Sequence, residues 1–198
     1  MVRVYGMAES GNCYKVKLLL SQLKQPFEWI ETDVTRGATR TSEFLARNSN
    51  GQVPTLEVSP GVFLPESNAI LGYLAEDTAY WRGDALERAR ALQWMFFEQY
   101  SHEPYIAVAR FILLFAKKPD HPLLAEKQKR GYQALGVMEQ HLSSEPFFAG
   151  AHYSIADISL YAYTHVAHEG GFDLAPYPAI RSWLERVRAQ PGYVGMRG

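Results

Sequence analysis

Apolar residues in the first 77 positions alternate between the spacing of strands and the spacing of helices. Residues 2–6 and 27–32 are typical of β-strands, because the first run is rich in β-branched and aromatic residues and the second alternates apolar with polar positions. Residues 14–24 lie between them. Their apolar side chains have helical spacing, at Val16, Leu19, Leu20 and Leu23.

The same segment predicts three further elements. In chain order these are a helix over 41–46, a hairpin of 54–58 with 62–63, and a helix over 66–76. Pro60 and Gly61 favour the hairpin turn, and Ile70, Leu71 and Leu74 share one face of the last helix. The order β-α-β-α-β-β-α predicts a mixed sheet with helices packed on it.

The strand pattern disappears from residue 84 onward. Apolar residues then recur at intervals of three and four, the pattern of a long amphipathic helix, at Ala85, Ala89, Leu92 and Phe96. Pro104 should interrupt this helix, because proline lacks the N–H that an α-helix needs. Three more helices are predicted over 122–142, 155–167 and 179–189. We therefore expect an N-terminal domain over 1–77, a linker over 78–84 and a helical domain over 85–198.

Composition and charge narrow the class of protein. The 198-residue chain is 47% apolar and 21% charged with a net charge of -1, so it lacks the basic excess typical of nucleic-acid-binding proteins. No run approaches eighteen apolar residues, and the first residues lack a signal-peptide pattern. The single cysteine, Cys13, excludes an intrachain disulfide and a multi-cysteine metal site. We expect a soluble protein of a reducing compartment.

Residues 9–16 lie where the first predicted strand gives way to the first helix. The N-terminus of a helix stabilises an anion, because its N–H groups are unpaired and carry partial positive charge. Ser10 and Asn12 can add hydrogen-bond donors to a thiolate or an oxyanion there. The same residue types often do no more than cap a helix, and this segment alone leaves both interpretations open.

Two later segments offer backbone and polar groups to a ligand. A cis Val53–Pro54 bond would turn the Val53 backbone toward a ligand, although trans is the commoner isomer. At the start of the next helix, Glu66 can bind an ammonium group, while Ser67 and its neighbouring N–H groups can hold a carboxylate. Ammonium beside carboxylate is the head of an α-amino acid. The alternative is a capped helix with a solvated acid.

Together these segments resemble the glutathione transferase family. Val53-Pro54 is similar to the family's cis-proline motif, Glu66-Ser67 to its γ-glutamyl-binding pair, and Ser154-Ile-Ala-Asp157 to its structural capping box. The resemblance spans nearly the whole chain. It implies the cytosolic glutathione transferase fold, in which an α/β thioredoxin-like N-terminal domain precedes an all-α C-terminal domain. It also implies glutathione as co-substrate without a metal, a homodimer, and a cytoplasmic role in detoxification with no nucleic-acid or membrane partner.

The resemblance also implies roles for particular residues. Ser10 stands where serine-type transferases have their catalytic hydroxyl, and Ser10 to Lys15 resembles the turn of the bacterial nu class, whose Thr and Asn contact the glutathione sulfur. Ser10 and Asn12 are therefore the candidate catalytic residues. The candidate glutathione-binding residues are Gln52, Val53, Pro54, Glu66 and Ser67. Gly51 stands where the family usually has a lysine that binds the glycine carboxylate of glutathione. Arg36, Arg40 or Gln52 would bind this carboxylate instead.

Other side chains carry weaker signals. Cys13 holds the resolving position of a C-x-x-C-like spacing, and we expect it to be packed and unreactive. His165 and His168 are expected on a helix surface rather than as metal ligands. An apolar electrophile pocket is predicted from the long helix, at Tyr100, Tyr105, Arg110 and Phe111; a solvated or salt-bridged role for the arginine is the alternative.

The expected function is that of a glutathione transferase, which ionises the glutathione thiol for attack on a small, apolar electrophile. Two alternatives stay open. One is a glutathione-dependent disulfide reductase or peroxidase of the nu-class type. The other is a glutathione-binding protein without catalytic turnover.

Overall fold

The computed structural model describes all 198 residues, which fold into two compact units. The first unit comprises residues 1–77 together with 190–198, and the second comprises residues 78–189. Residues 190–198, which the sequence predicts as the end of the helical domain, thus belong to the first unit. None of the helices is both long and apolar enough to cross a membrane.

The first unit contains four strands and three helices. In chain order they are β1 (Val2–Gly6), α1 (Gly11–Gln22), β2 (Phe27–Glu31), α2 (Ser42–Arg47), β3 (Thr55–Ser59), β4 (Val62–Pro65) and α3 (Ser67–Ala75). The strands form one sheet in the order β2-β1-β3-β4. The β1–β2 pair is parallel, and the other two pairs are antiparallel. The predicted mixed sheet is therefore confirmed.

The core of this unit lies between the sheet and its helices. Val16, Leu19 and Leu20 of α1 are fully buried, as are Ile70 and Leu71 of α3. The helical periodicity of the sequence therefore identified the packed faces of both helices. Two short 3₁₀ turns before α2, at Val34–Arg36 and Ala38–Arg40, were not predicted.

The C-terminal tail, residues 190–198, packs along α1. The Tyr14 hydroxyl donates to the Val194 carbonyl at 2.8 Å, and the Lys17 ammonium donates to the Met196 carbonyl at 3.0 Å. The Met196 side chain is buried. Polar side chains of α1 thus satisfy backbone groups of the tail, which explains why these residues belong to the first unit rather than to the helical one.

The second unit is entirely helical. Its α-helices are α4 (Ala85–Phe97), α5 (Glu103–Arg110), α6 (Leu124–Leu142), α7 (Ile155–Thr164) and α8 (Pro178–Arg188). A π-helical turn at Glu98–His102 separates α4 from α5, and Pro104 lies in the first turn of α5. The predicted interruption at this proline is thus confirmed, and it takes the form of a π turn.

Helix α7 lies at the centre of the helical unit, because all ten of its residues are buried. Its Ser154–Asp157 capping box is formed. Asp157 does more than close the box: its carboxylate also accepts hydrogen bonds from the Phe148 backbone N–H at 3.0 Å and the Trp183 indole N–H at 2.9 Å. One acidic side chain therefore joins the start of α7 to a loop and to α8.

The apolar stripe predicted on α4 does not face the core of this unit. All four residues of that stripe, Ala85, Ala89, Leu92 and Phe96, are exposed. The buried positions of α4 are Ala91, Trp94 and Met95. Helix α4 therefore has a second apolar face, and Phe96 on that face is 69% exposed.

Candidate functional site

Sheet register brings the three sequence signatures of the first unit to one end of the sheet. Thr55, which follows Pro54, pairs with Pro65, which precedes Glu66. Thr55 also pairs with Tyr5 near the end of β1, from which the chain runs on to the start of α1. Antiparallel pairing of β3 with β1 and β4 is thus the physical reason that segments about fifty residues apart meet.

Ser10 occupies the N-cap position of α1. Its Oγ accepts a hydrogen bond from the Cys13 backbone N–H at 3.4 Å. A serine hydroxyl can accept one hydrogen bond and still rotate its own hydrogen toward another group. Capping the helix and donating to an anion in front of it are therefore compatible roles.

Asn12 is joined to the start of α3 through Ser67. The Ser67 hydroxyl donates to the Asn12 carbonyl oxygen at 3.4 Å, and the Lys15 ammonium donates to the Ser67 oxygen at 3.4 Å. Asn12 is half-buried and Ser67 is buried. The predicted thiol segment and the predicted amino-acid segment are thus in direct contact.

Cys13 is fully buried. Burial raises the pKa of its thiol to about 12, although hydrogen bonds from the Ser10 side chain and the Met7 backbone act in the opposite direction. The thiolate is the nucleophilic form of cysteine. A thiol that stays protonated and inaccessible is packed and unreactive at neutral pH.

The Val53–Pro54 peptide bond is cis. The loop before it is fixed by a hydrogen bond, which the buried Asn48 side-chain amide donates to the Gln52 carbonyl at 2.9 Å. The Thr55 hydroxyl donates to the same carbonyl at 3.3 Å. Gln52 itself is exposed and Val53 is half-exposed, so both are accessible at this end of the sheet.

Glu66 precedes α3 and has a backbone conformation that non-glycine residues seldom adopt, with φ of 69° and ψ of 110°. Its side chain is exposed, while its carbonyl accepts the Ile70 N–H at 2.9 Å. Positive φ in a non-glycine residue costs roughly 1–3 kcal/mol and is concentrated at functional sites. The strained backbone at Glu66 therefore supports its carboxylate as a candidate binding group.

Arg40 lies over Gly51, the position at which the resemblance implied a lysine. A Cβ atom at residue 51 would lie 2.6 Å from Arg40 Nη1, and Arg40 Nη1 donates to the Asn50 carbonyl at 3.4 Å. Gly51 also has φ of +63°, which favours glycine. The guanidinium of Arg40 thus occupies the space that a side chain at residue 51 would need. Arg36 instead pairs with Asp33.

In the helical unit, only two of the four candidate pocket residues line a common groove. Tyr100 and Tyr105 line a groove of about 250 Å³, whose other walls include Phe97, Arg130 and Val137. Arg110 is buried and forms an ion pair with Glu169, which agrees with the salt-bridged alternative. Phe111 is half exposed and stacks on Phe115 at 5.7 Å between ring centres.

Burial also distinguishes the two histidines. His168 is exposed and His165 is not. The His165 ring stacks on Tyr161, and its Nδ1 donates to the Tyr161 carbonyl at 2.9 Å. Burial lowers the pKa of His165 to about 4. Its expected position on the helix surface is therefore wrong, because the ring packs against α7.

Lys15 is a residue of the candidate site that the sequence does not predict. It is fully buried, although lysine is seldom buried completely. The available signal was its position, because it follows Asn12 by three residues and lies next to Val16 on the apolar part of α1. Periodicity alone does not distinguish it from a lysine whose charged end reaches solvent.

Comparison with known proteins shows the family. Residues 1–76 match the family described as glutathione S-transferase, N-terminal domain. Residues 94–191 match the family described as glutathione S-transferase, C-terminal domain. The chain belongs to the glutathione S-transferase family.

Individual relatives agree with this conclusion. The chain is similar to the disulfide-bond oxidoreductase YfcG of Escherichia coli strain K12, at 30% identity over 96% of this chain and 92% of that protein. It is also similar to the crystal structure of a glutathione S-transferase from Pseudomonas fluorescens Pf-5, at 53% identity and a TM-score of 0.98, over 100% of this chain and 99% of that one. A possible glutathione S-transferase from Rhodopseudomonas palustris is 48% identical with a TM-score of 0.96, over 100% and 98% of the two chains.

Proposed function

We propose that the first unit binds reduced glutathione and ionises its thiol. The observation that carries the proposal is the hydrogen bond between Ser67 and Asn12 at 3.4 Å, because it joins the segment suited to an amino-acid head to the segment suited to a sulfur anion. Glutathione has both groups in one molecule. The first turns of α1 and α3 add partial positive charge beside them.

In this proposal the γ-glutamyl group lies at the start of α3. The exposed Glu66 carboxylate pairs with the ammonium, and the first backbone N–H groups of α3, beginning with that of Ser67, bind the carboxylate. Backbone groups of Val53, with Gln52 and Pro54 beside them, bind the cysteinyl part. Arg40 binds the glycine carboxylate, which its place over Gly51 supports.

Ser10 and Asn12 would stabilise the sulfur anion. A free thiol has a pKa near 8.5, so ionisation at neutral pH requires a reduction of about two units, roughly 2.7 kcal/mol. One charge-assisted hydrogen bond contributes about 1.5–3 kcal/mol. One donor together with the end of a helix is therefore of sufficient size, and no metal or general base is needed.

The bound thiolate would then attack an electrophilic carbon. A carbon–sulfur bond forms, the bond to a leaving group such as chloride breaks, and the thiol proton passes to solvent. Cys13 is not the nucleophile, because burial raises the pKa of its thiol to about 12. The attacking sulfur must therefore come from the co-substrate. We also propose a cytoplasmic location, with which a single cysteine outside any disulfide is compatible.

Reduction of disulfides is the second candidate, because the similar E. coli protein YfcG is a disulfide-bond oxidoreductase. Here the thiolate attacks one sulfur of a disulfide and releases the other as a thiolate. A second glutathione then resolves the mixed disulfide, giving oxidised glutathione and two thiols from the substrate. The same site serves both reactions, because each begins with the glutathione thiolate.

Three assays distinguish the candidates. Turnover of a chloronitrobenzene supports the transferase, turnover of hydroxyethyl disulfide supports the reductase, and turnover of a peroxide supports a peroxidase. Binding of glutathione without turnover in all three would leave only a non-catalytic binding protein. Absence of glutathione binding by calorimetry would contradict the whole proposal.

The thiol donors are tested through the ultraviolet absorbance of bound thiolate as a function of pH. If Ser10 alone donates, Ser10→Ala should raise the pKa of the bound thiol and lower kcat/KM by about 10²-fold. If Asn12 shares the role, Ser10→Ala and Asn12→Ala should each lower kcat/KM by less than about 10²-fold. The double variant should lose much more, because neither donor then remains to replace the other. Cys13→Ala is the matched control and should change neither quantity. A large loss in Cys13→Ala alone would instead indicate glutaredoxin-like chemistry.

We also propose a homodimer, supported by an exposed apolar stripe that runs from α4 into the π-helical turn after it. Leu92, Phe96 and Tyr100 follow one another at intervals of four residues and are 40%, 69% and 84% exposed. Val137 on α6 is also exposed, and it lines the groove that contains Tyr100. A contiguous apolar surface of this kind favours association with a second copy.

A further inference from the structure

Lys15 is a fully buried cation at the proposed glutathione site. Burying a charged group is costly unless its hydrogen bonds are satisfied. Its ammonium reaches the Ser67 oxygen at 3.4 Å. Ser67 is the first residue of α3, so this contact joins the first turns of two helices.

The chemistry of these groups fixes the direction of the hydrogen bonds. An ammonium can only donate, so the Ser67 oxygen is the acceptor and the Ser67 hydrogen points elsewhere. It points to Asn12, whose contact with Ser67 is 3.4 Å long. To accept that hydrogen, Asn12 must present its carbonyl oxygen. The amide Nδ2 of Asn12 then lies on the other branch of the side chain, directed away from Ser67.

We propose that Lys15 is a positioning residue that acts through Ser67 to set the orientation of the Asn12 amide, so that Nδ2 donates to the glutathione sulfur. The proposal rests on the proposed function, and it concerns the chain of contacts from Lys15 to Ser67 to Asn12. Without the ammonium, Ser67 can reverse and accept from Asn12. The amide would then turn its oxygen, an acceptor, toward the sulfur anion.

The chain of contacts also has an electrostatic consequence. A cation at one end polarises the Ser67 hydroxyl, and hydrogen bonds in series strengthen one another. The donor that faces the sulfur is then fixed in place before glutathione arrives, so little reorganisation is needed when the thiolate forms. Removing the ammonium should therefore affect ionisation of the bound thiol more than folding.

Lys15→Met tests the proposal, because methionine keeps the apolar stem and removes the charge. The readout is the pKa of the glutathione thiol bound to the full chain, followed by thiolate absorbance at saturating glutathione. We expect Lys15→Met to raise this pKa by about one unit, a tenfold loss of thiolate below the pKa. Lys17→Met is the matched control on the same helix. Lys17 donates to carbonyls of the tail, and its replacement should leave the thiol pKa unchanged.

Double variants separate positioning from a direct effect of the charge on the sulfur. If Lys15 acts through Asn12, Lys15→Met should add nothing to the thiol pKa in an Asn12→Ala background. Ser67→Ala should raise the thiol pKa as Lys15→Met does. An equal shift from Lys15→Met in both backgrounds, or an unchanged pKa in Ser67→Ala, would overturn the proposal.

The remaining outcomes are also decisive. Wild-type protein that binds no glutathione would overturn the proposed function, and this proposal with it. Wild-type protein that binds and ionises glutathione, beside Lys15→Met with the same thiol pKa, would overturn only the role of Lys15. If Lys15→Met does not fold, the Ser67→Ala and Asn12→Ala pair decides, because the proposal requires that the effect of Ser67→Ala disappears in the Asn12→Ala background.

Discussion

Arg197 in the C-terminal tail forms a two-point ion pair with Glu9. Arg197 Nε lies 2.9 Å from Glu9 Oε1, and Arg197 Nη2 lies 2.8 Å from Glu9 Oε2. Glu9 immediately precedes Ser10, so the tail is attached next to a proposed thiol donor. A planar guanidinium paired with a carboxylate at two points restricts orientation more than a single contact does.

Arg197→Ala should loosen the segment that carries Ser10. The ion pair is partly exposed, with side-chain exposures of 52% and 34%, so its loss should lower the free energy of unfolding by less than about 1 kcal/mol. We expect kcat/KM for glutathione to fall by up to about fivefold, which corresponds to about 1 kcal/mol. Arg188→Ala, at the exposed pair with Glu185 in the helical unit, is the control. Equal activity in both variants would show that the tail contact does not support the site.

Arg40→Ala should weaken binding of glutathione by about tenfold, because the glycine carboxylate would lose a cation. The same change should leave γ-glutamylcysteine unaffected, since that peptide lacks the glycine. Calorimetry with both peptides measures the difference. Arg36→Ala is the control, because Arg36 pairs with Asp33. Equal weakening of both peptides by Arg40→Ala would indicate a role in folding of the loop instead.

Glu66→Ala and Glu66→Gly should both weaken glutathione binding, because each removes the partner of the γ-glutamyl ammonium. They should differ in stability. Glycine tolerates the φ of 69° found at this position, so Glu66→Gly should unfold at higher denaturant concentration than Glu66→Ala. Calorimetry and urea unfolding give the two quantities. Unchanged affinity in both variants would remove Glu66 from the binding site.

Asp157 in α7 and His165 directly after α7 should give opposite pH dependences of the free energy of unfolding. Burial raises the pKa of Asp157 from 3.8 to about 6. Between these values the folded chain keeps a proton that the unfolded chain has released, so the free energy of unfolding falls as pH rises. Burial lowers the pKa of His165 from 6.5 to about 4. Over that range the unfolded chain holds the extra proton, so stability rises with pH.

The free energy of unfolding of Asp157→Asn should therefore rise with pH between about 4 and 6, because only the effect of His165 remains. That of His165→Gln should fall over the same range, because only the effect of Asp157 remains. Wild-type protein should change less than either variant. Asp157→Asn should also lower the free energy of unfolding by about 1–3 kcal/mol, because donors to the carboxylate lose an acceptor. Urea unfolding across this range measures both effects. The same pH slope in wild type and Asp157→Asn would contradict the assignment.

Phe96→Glu should convert the proposed dimer to a monomer of 22.4 kDa, because it places a charge in the centre of the exposed stripe of α4. Leu123→Glu is the control, since Leu123 is also exposed, at 47%, and lies before α6. Sedimentation at micromolar concentration distinguishes the two masses. A wild-type monomer would refute the dimer directly.

Helical periodicity was informative where a helix has one apolar face. On α1 it identified Val16, Leu19 and Leu20, which are all fully buried. On α4 it identified the exposed stripe, because this helix has two apolar faces and spacing does not show which one meets its own chain. Trp94 and Met95 form the buried face.

Contacts between distant residues limited the prediction of the site. The local signatures around Ser10, Val53 and Glu66 were visible in sequence, because each lies within one short segment. The position of Arg40 over Gly51 brings together residues on either side of α2, and the contact of Lys15 with Ser67 joins two helices. Neither has a local pattern, so only the folded chain reveals them.

The first unit is discontinuous in sequence, since residues 190–198 complete it after the helical unit has intervened. During translation, the sheet and its helices leave the ribosome well before Arg197 has been added. Domains generally fold in the order of their synthesis, so the segment beside Ser10 would first form without its ion pair to Glu9. A ribosome paused within α8 would hold a nascent chain with every strand of the sheet and no tail. Final fixation of that segment is thus a late event, which depends on residues synthesised after the whole helical unit.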